Sequence, residues 1–541
     1  MQKLLSSIFS IERNYLLISL ILILSISYVS FSGRQGPFIE LYDYGEHAAS
    51  LRELSAHPFS PQNPLLDTVV STTLRYTPYI FLLAILKKLF HLNLFTVINL
   101  SSILSFFFLI IGIYLWSKEY FKDKELPLYV ILALLFLWGK PFNYSNEYNL
   151  RFLSYTLFYP SIFAFNLCFL GLYFLLNYTR YGKVNNYLFY LVFATFIFMT
   201  HPLTGSFFLL CSFLSVVTEG ERRVKNVGLY LFSLFIIFMF SLVWPYYSFI
   251  DAVIKSATTD WYYPFRMHLY DTRNIYKMGP ALLGLPIVVL LLVKKKYSFI
   301  SWGFLLCSFI YLSSYLVNIR LGERYIFFVI FFLHLSLAWY LSTLELLSFS
   351  KMRITFSNPN EKNIHILFFI IILVLSILYQ VTKLSFEQAG YLINFKPRPI
   401  IHKYKNPLDN YHLVKSMLKE GDIVMADPLT SWLIPAFTGA KIVSLYHNNP
   451  LVPDNKRRVD DSIKFYASTT PFKTREMILK NYNVTHVLLN FDRMKENDIN
   501  RINNYYQNFR IDVSLIEHLK KLGKIIFKND DFILFKLKFI Q

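Results

Sequence analysis

Several ionisable side chains crowd into one short segment, DYGEHAASLRELSAHPFSPQNPLL, which follows the first long apolar run of the chain. A carboxylate in such a place can accept a proton from a substrate hydroxyl, which is the task of a general base. Asp43 and Glu46 stand at the start of the segment and are the candidates for this role. The same two residues would also suit the first turn of a helix, where Asp43 is the cap and Glu46 favours the dipole. Their spacing alone leaves both interpretations open.

The spacing within this segment predicts a short helix at the membrane surface over residues 45–55. Glu46, Ser50 and Glu53 recur at helical intervals and share one face. Alanines and leucines occupy another face, which can lie on the bilayer, so we expect the carboxylates to point away from it. The prolines of HPFSPQNP end the helix, because proline lacks a backbone donor and its ring clashes with the preceding turn.

A second candidate site is the pair of arginines in IRLGERYIFF, residues 319–328. Arg320 and Arg324 flank Glu323 at the outer mouth of a predicted span. Guanidinium is planar, permanently charged and able to form two parallel hydrogen bonds, so such a pair suits an anionic phosphate. The alternative is that the arginines extend to the membrane surface and pair with Glu323 and lipid headgroups.

Two further segments carry residues that suit substrate binding. His201, in the break THPLTG between two apolar runs, could line a cavity, although a lone histidine there more often makes a structural hydrogen bond. The loop 251–279 combines aromatic and charged residues, which suit carbohydrate binding and equally suit an aromatic belt at the interface. With two histidines of the first segment, the candidate substrate-binding residues are His47, His57, His201, Asp260, Trp261, Arg266, His268 and Glu323.

The sequence requires no cofactor. Asp43, Glu46 and His47 offer hard ligands, but no second ligand pair has a diagnostic spacing, so a divalent cation is compatible with the sequence and not demanded by it. We therefore predict no metal site. The sequence has no Walker loop, GxSxG, HExxH or dinucleotide-binding motif, which argues against an ATP-driven pump and a serine hydrolase. The cysteines lie inside apolar runs and predict no disulfide framework.

The elements that must position these residues are mostly membrane spans. Of the 541 residues, 55% are hydrophobic and 16% are charged, whereas soluble domains have about 25% charged residues. Apolar runs that approach the roughly 20 residues needed to cross a bilayer recur along the chain. We predict a polytopic α-helical membrane protein with about 11 transmembrane helices, at 14–31, 94–116, 127–139, 156–178, 187–200, 203–218, 228–250, 280–293, 298–318, 325–347 and 364–382.

The distribution of lysine and arginine predicts which side of the membrane each loop occupies. With a cytoplasmic N-terminus, the basic residues are more than twice as dense in the cytoplasmic loops as in the outer loops. The net charge of +20 therefore reflects loop orientation, and no basic stripe indicates nucleic acid. The segment 76–90 is ambiguous, because counting it as a span would invert everything after it. We predict that it is an amphipathic helix on the membrane surface.

The composition changes after residue 382. Shorter apolar runs of strand length appear in DIVMAD, KIVSLYH and VTHVLLN, and the last pair, KIIF and DDFILFKL, resembles a hairpin around KNDD. Helical patterns lie between these runs, and such alternation predicts a small α/β domain. We therefore divide the chain into a transmembrane domain, residues 1–382, whose outer loop 32–93 carries interfacial helices, and an extracytoplasmic α/β domain, residues 383–541.

Taken in order, the motifs resemble those of the GT-C superfamily of integral-membrane glycosyltransferases. The resemblance rests on DYGEHAASLREL, the helix that begins TPYIFLLAILKKLF, the hairpin HPLTG, the basic mouth RLGERY and the segment GDIVMADPLTSWLIPAFTGAKIV. It implies a GT-C-like fold and the transfer of a single sugar from a polyprenyl-phosphate-linked donor to a cell-envelope glycan or lipid acceptor. It also implies a multi-pass protein of the bacterial inner membrane that acts at the outer face.

The resemblance also assigns roles to individual residues. It implies that Asp43 is the general base on the acceptor hydroxyl, with Glu46 as the alternative, and that Arg320 and Arg324 hold the donor phosphate as it leaves. Negative charge develops on that phosphate in the transition state and positive charge on the sugar ring, which suits these side chains. In many members the acidic residues are adjacent, whereas here two residues separate them, so the choice of base stays open.

Two other classes of protein remain as alternatives. A flippase or transporter of lipid-linked sugars would place ionisable residues near the middle of its spans, which here hold little beyond His334 and Glu345. A polysaccharide polymerase or ligase would depend on a large outer loop rather than on a C-terminal α/β domain. The expected partners are the polyprenyl-phosphate sugar, a glycan or lipid acceptor and the lipid bilayer, without nucleic acid.

Overall fold

Apolar helices dominate the computed structural model. Within its described part, seven helices are long and apolar enough to cross a membrane, and four other apolar helices are shorter. The seven are Leu94–Phe121, Pro160–Tyr181, Pro202–Glu219, Val224–Leu242, Ile275–Val293, Ser298–Leu316 and Gly322–Thr343, and the four are Arg13–Val29, Leu126–Phe136, Val184–Thr200 and Leu367–Lys383. The described residues are 12–31, 43–219, 223–258, 268–317, 319–344, 361–392, 407–445, 451–491 and 513–538.

Each apolar run found in the sequence coincides with one of these helices, so the protein is a multi-pass membrane protein. The exact number of spans stays a prediction, because four of the apolar stretches fall short of the roughly 20 residues that cross a bilayer, one of them (Leu367–Lys383) within the longer helix Glu361–Leu392. The remaining α-helices of the described residues are Asp43–Ala56, Pro78–Leu89, Leu150–Thr156, Phe249–Thr258, Pro407–Val414, Ile434–Thr438, Asn455–Tyr466, Phe472–Asn481 and Val513–Leu522.

The chain divides into two compact units, each assembled from separate stretches of sequence. The first unit comprises Met1–Arg34, Ile98–Ser241 and Phe265–Phe395, and the second unit comprises Gln35–Val97, Leu242–Pro264 and Lys396–Gln541. The second unit therefore combines the segment after the first apolar helix and the stretch Leu242–Pro264 with the C-terminal segment. The boundary expected at residues 382 and 383 lies within the helix Glu361–Leu392, and it stays a prediction.

Aromatic and small polar side chains pack the interior of the first unit. Phe207 stacks on Phe328 with ring centroids 4.0 Å apart and ring planes within 3° of parallel, and such aromatic pairs add to simple apolar burial. The buried amide of Asn166 donates to the backbone oxygen of Ser105 at 3.0 Å. A polar contact of this kind joins two helices where lipid offers no hydrogen bond.

A five-stranded sheet with the order β2-β1-β3-β5-β4 forms the C-terminal part of the second unit. Its strands are β1 Ile423–Met425, β2 Lys441–Ile442, β3 His486–Asn490, β4 Gly523–Lys528 and β5 Phe532–Leu537. Strand β1 pairs in parallel with β2 and β3, whereas β5 pairs antiparallel with β3 and β4. The predicted α/β region and its terminal hairpin are confirmed.

The segment between the first apolar helix and the helix Pro78–Leu89 contacts the edge of this sheet. Leu66 forms a parallel bridge with Ile442, whose N–H donates to the oxygen of Leu65 at 2.8 Å. One residue earlier on β2, Lys441 forms a buried ion pair with Glu53 at 3.0 Å. The segment therefore extends the edge of β2, and the pairing satisfies edge groups that would otherwise be open to another strand.

The segment predicted to lie on the membrane surface forms the helix Pro78–Leu89. Thr77 caps its first turn by accepting from the N–H of Ile80, and Lys87 and Lys88 stand in its last turn, where cations favour the dipole. Twelve residues rise only about 18 Å, well below the roughly 30 Å of hydrocarbon. Its length therefore favours the interfacial interpretation over a span.

Candidate active site

The helix Asp43–Ala56, named here the acidic helix, carries both candidate bases in its first turn. Their carboxylates contact the same guanidinium. Arg75 Nη2 donates to Asp43 Oδ1 at 2.9 Å, and Arg75 Nε donates to Glu46 Oε2 at 2.8 Å. The third nitrogen, Nη1, donates to His47 Nε2 at 3.3 Å. Asp43, Glu46 and His47 thus share one cation, and all four residues belong to the second unit.

Arg75 is a cation that the two carboxylates stabilise. Burial lowers the pKa of Arg75, but the charges and hydrogen bonds of Glu46 and Asp43 outweigh burial and raise that pKa above its usual value. One guanidinium cannot neutralise two ionised carboxylates. With both carboxylates ionised, the start of the acidic helix would carry a net negative charge, as a general base requires.

The two carboxylates differ in access to substrate. The Asp43 side chain is 34% exposed, whereas that of Glu46 is 6% exposed. The second oxygen of Glu46, Oε1, also accepts from the indole Nε1 of Trp432 at 2.8 Å. A base must reach the proton that it removes, so the geometry favours Asp43 as the base and gives Glu46 the task of holding Arg75.

Gly45, between the two acidic residues, allows a close contact with the C-terminal segment. A Cβ atom at position 45 would lie 2.4 Å from the backbone oxygen of Trp432 and would collide with it. The first turn of the acidic helix therefore lies directly against the backbone of the 3₁₀ helix Thr430–Leu433. Only glycine allows this approach, which brings the Trp432 indole to Glu46.

The rest of the acidic helix is buried, which differs from the expected surface helix. Leu51 and Leu54 are fully buried within the second unit rather than free to lie on a bilayer, and Ser50 and Glu53 are buried as well. Arg52 donates from Nε and Nη2 to backbone oxygens at the end of the helix Ile434–Thr438. The polar face is buried because its charges find partners there, as buried charges must.

His57 lies beyond the end of the acidic helix and is exposed. Its Nε2 is 3.1 Å from Glu420 Oε1, with side-chain exposures of 47% and 64% for the two residues. Surface pairs of this kind contribute little to stability. His57 therefore lies in the second unit without joining the Arg75 cluster, and its proposed substrate contact stays a prediction.

The predicted arginine site belongs to the first unit, where two motifs meet. Tyr325 of RLGERY shares a 2.8 Å hydrogen bond with Ser206, which follows HPLTG. The Arg324 guanidinium lies over the ring of Tyr144 at 5.7 Å, a cation–π contact. Arg320 and Glu323 share the same 3₁₀ helix, Arg320–Tyr325. The motif thus forms one short element with aromatic support.

His201 makes a local hydrogen bond of the kind that the sequence offered as the alternative, and its proposed place in a substrate cavity stays a prediction. Its Nδ1 accepts from the N–H of Thr204 at 3.2 Å and lies 2.8 Å from the hydroxyl of the same residue. His201 therefore caps the helix Pro202–Glu219, a helix that begins with proline at its first position. Among the other candidates, Asp260, Trp261 and Arg266 lie outside the described residues, as do the side chains of Arg320 and His268.

Glu147 is a further ionisable residue that the spacing did not single out. It is fully buried in the first unit, and its Oε2 accepts from the N–H groups of Phe142 and Asn143 at 2.9 and 3.0 Å. Burial raises the pKa of Glu147 to about 8, although these hydrogen bonds and the charges of Lys277 and Arg151 oppose the rise. Through these hydrogen bonds the Glu147 carboxylate stabilises the fold of the loop 139–149.

The described residues do not point to a metal. No group of three or more histidine, cysteine, aspartate or glutamate side chains in that part of the chain is arranged to hold a metal ion. Asp43, Glu46 and His47 are instead directed at Arg75, a cation that already occupies the place between them.

The fold is similar to those of solved membrane glycosyltransferases. The archaeal oligosaccharyltransferase AglB from Archaeoglobus fulgidus, in complex with an inhibitory peptide and a dolichol-phosphate, aligns with 93% of this chain and 72% of its own, at 10% identity and a TM-score of 0.52. The same enzyme tethered to an acceptor peptide aligns with 98% of this chain and 74% of its own, at 10% identity and a TM-score of 0.52.

A second enzyme shares the fold. The arabinofuranosyltransferase AftD from Mycobacteria aligns with 98% of this chain at 12% identity and a TM-score of 0.52, and this chain spans 40% of its length. No protein-family model and no curated protein sequence matches the chain. At such low identity the likeness concerns the fold. At that level, the GT-C resemblance inferred from the motifs is confirmed.

Proposed function

We propose that this protein is a membrane glycosyltransferase. It would move a single sugar from a polyprenyl-phosphate donor to a cell-envelope glycan or lipid acceptor at the outer face of the bacterial inner membrane. The GT-C fold supports glycosyl transfer, and the solved structure of AglB contains a dolichol-phosphate, which is a lipid of the donor class proposed here. The observation that carries the proposal is the cluster in which Asp43 and Glu46 share Arg75.

The chemistry follows from the properties of that cluster. Asp43 accepts the proton of the acceptor hydroxyl while the hydroxyl oxygen bonds to the anomeric carbon of the sugar. The bond from that carbon to the phosphate oxygen breaks, and the polyprenyl phosphate leaves with the bonding electrons. Arg320 and Arg324 would stabilise the charge on the departing phosphate. Arg75 fixes the direction of the Asp43 carboxylate throughout.

The transporter alternative gains no support from the buried histidine of the bundle. His334 Nε2 lies 2.9 Å from the backbone oxygen of Leu137, and its Nδ1 lies 3.4 Å from the hydroxyl of Tyr148. The ring also meets that of Trp138 edge to face. These contacts give His334 a structural role between packed segments. It therefore offers no support for a transport function.

The test compares Asp43→Asn with Glu46→Gln in a membrane transfer assay that uses a panel of polyprenyl-phosphate sugars. We expect Asp43→Asn to lower kcat by about 10²–10⁴-fold, because the amide cannot accept the proton. Glu46→Gln should lower it less, because Glu46 acts through Arg75. Activity of both variants at the wild-type level would overturn the assignment of the base. A wild-type protein that transfers none of the sugars would overturn the proposed function.

A further inference from the structure

A side chain from the C-terminal segment reaches the proposed base through two intermediaries. The indole of Trp432 donates to Glu46, Glu46 binds Arg75, and Arg75 donates to Asp43, at 2.8, 2.8 and 2.9 Å in turn. Trp432 is 1% exposed and Glu46 is 4% exposed. Trp432 and Glu46 are 386 residues apart in sequence, and both belong to the second unit.

The chemistry of the three groups makes this connection directional. An indole can only donate, so it stabilises the ionised form of Glu46 and takes up part of its negative charge. Arg75 divides its hydrogen bonds between Glu46 and Asp43. When the indole offsets more of the negative charge on Glu46, Glu46 attracts Arg75 less strongly. Arg75 can then bind Asp43 more strongly. In a low dielectric each of these hydrogen bonds is electrostatically stronger than in water, so the competition between them has a larger effect.

We infer that Trp432 is a positioning residue for the base, because its indole N–H sets how firmly Arg75 holds Asp43. This inference rests on the proposed function. It makes the C-terminal α/β segment part of the catalytic machinery, since its 3₁₀ helix Thr430–Leu433 carries Trp432. Gly45 supports the same conclusion, because the close approach at that position keeps the indole within reach of Glu46.

The inference has a specific kinetic consequence. Without the indole donor, Glu46 draws Arg75 toward itself, and Asp43 loses both its orientation and part of the nearby positive charge. A carboxylate with less positive charge nearby is protonated at higher pH. The turnover number should therefore fall, and the acidic limb of the pH–rate profile should move to higher pH. The KM for the donor should stay within about twofold, because kcat and KM separate when an interaction serves only the chemical step.

The experiment uses the full-length protein in membranes and measures kcat, KM and the pH–rate profile of Trp432→Phe. We expect kcat to fall about tenfold, the effect of one misdirected hydrogen bond, together with the shift of the acidic limb. Trp138→Phe is the matched control, since the buried indole of Trp138 donates at 2.7 Å to a backbone oxygen, that of Leu134, in the first unit. The control should keep the wild-type kcat and profile.

Two further variants keep the test decisive. Trp432→His retains a ring N–H donor and should restore the wild-type position of the acidic limb. In a Glu46→Gln background, Trp432→Phe should change kcat less than twofold, because the chain of contacts is already broken. An active wild-type protein with unchanged kcat and pH profile in Trp432→Phe would overturn the inference alone. A wild-type protein inactive with every polyprenyl-phosphate sugar would overturn the proposed function and this inference with it.

Discussion

Two acidic residues of the same helical turn have different environments. Asp43 keeps a third of its side chain exposed, while Glu46 is enclosed between a guanidinium and an indole. A buried carboxylate with bound donors on both oxygens is poorly placed to accept a substrate proton, whereas a partly exposed one can do so. The separation of the acidic pair by Tyr44 and Gly45 is thus linked to a division of tasks between the two carboxylates.

At the residue scale, a substitution of Arg75 separates the effect of its directed hydrogen bonds from the effect of its positive charge. Arg75→Lys keeps the positive charge, but one ammonium cannot reproduce three directed donors in one plane. We expect kcat to fall by about 10–100-fold, since small displacements of a catalytic group have effects of this size. Initial rates of sugar transfer would measure the loss.

Arg52→Lys is the matched control for this change. Arg52 also binds through its fork, but to the backbone oxygens of Ala436 and Phe437 in the same unit. Its replacement should affect thermal stability more than turnover. Equal losses of kcat in the two variants would show that the Arg75 effect reflects general packing and not the direction of Asp43.

At the scale of elements, local signals were sufficient to predict the helices and strands, whereas the site depended on distant contacts. A helix or strand of this kind is favoured by the residues of its own segment, as in VTHVLLN. The local pattern of apolar residues therefore predicts β3 and the terminal hairpin. Arg75 lies in a turn, whereas Asp43 and Glu46 lie in the acidic helix. No spacing rule in the sequence predicts that these residues pair. Trp432 lies too far along the chain for any local pattern to place it at Glu46.

The burial of the acidic helix shows the same limit. Its pattern of leucines and carboxylates predicted a helix, and the helix is present. Lys441, Trp432 and the backbone oxygens that accept from Arg52 decide which surface covers its faces, since an ion pair or a directed hydrogen bond offsets the cost of burying each charge. A sequence pattern can indicate an amphipathic helix, but it cannot identify the partner of the polar face.

The sheet of the second unit should lose stability in acid through one histidine on β3. His486 is 1% exposed, and burial lowers its pKa, with Lys536 acting in the same direction and Asp422 opposing. Above its usual pKa of about 6.5 the histidine is neutral in both folded and unfolded chains. Below that value the unfolded chain binds the proton first, so stability falls as pH decreases toward the folded-state pKa.

Thermal unfolding of the detergent-solubilised protein at pH 7.5 and pH 5 would measure this loss, with His486→Gln as the comparison. The amide of glutamine does not titrate, so the variant should lose less of its melting temperature between the two pH values than the wild-type protein does. An equal decrease in both proteins would assign the acid sensitivity to other groups.

At the scale of the whole molecule, the predicted orientation can be tested with thiol chemistry. Lys524 is exposed on β4, and Lys122 is exposed in a loop predicted to be cytoplasmic. All three native cysteines are buried, so they should contribute little background. In intact spheroplasts, Lys524→Cys should react with a membrane-impermeant maleimide and Lys122→Cys should be protected until the membrane is permeabilised. The opposite pattern would mean that the sidedness is inverted.

The distance along the chain between Glu46 and Trp432 also determines the order in which the parts of the site are synthesised. A ribosome that adds 5–20 residues per second needs roughly 20 to 80 s to pass from one residue to the other. For most of that interval Asp43 and Arg75 have been synthesised, whereas Trp432 and strand β2 have not. The proposed catalytic carboxylate therefore takes up its final setting only after Trp432 and strand β2 have been translated, so we expect a product truncated before Trp432 to be inactive toward the lipid-linked donor.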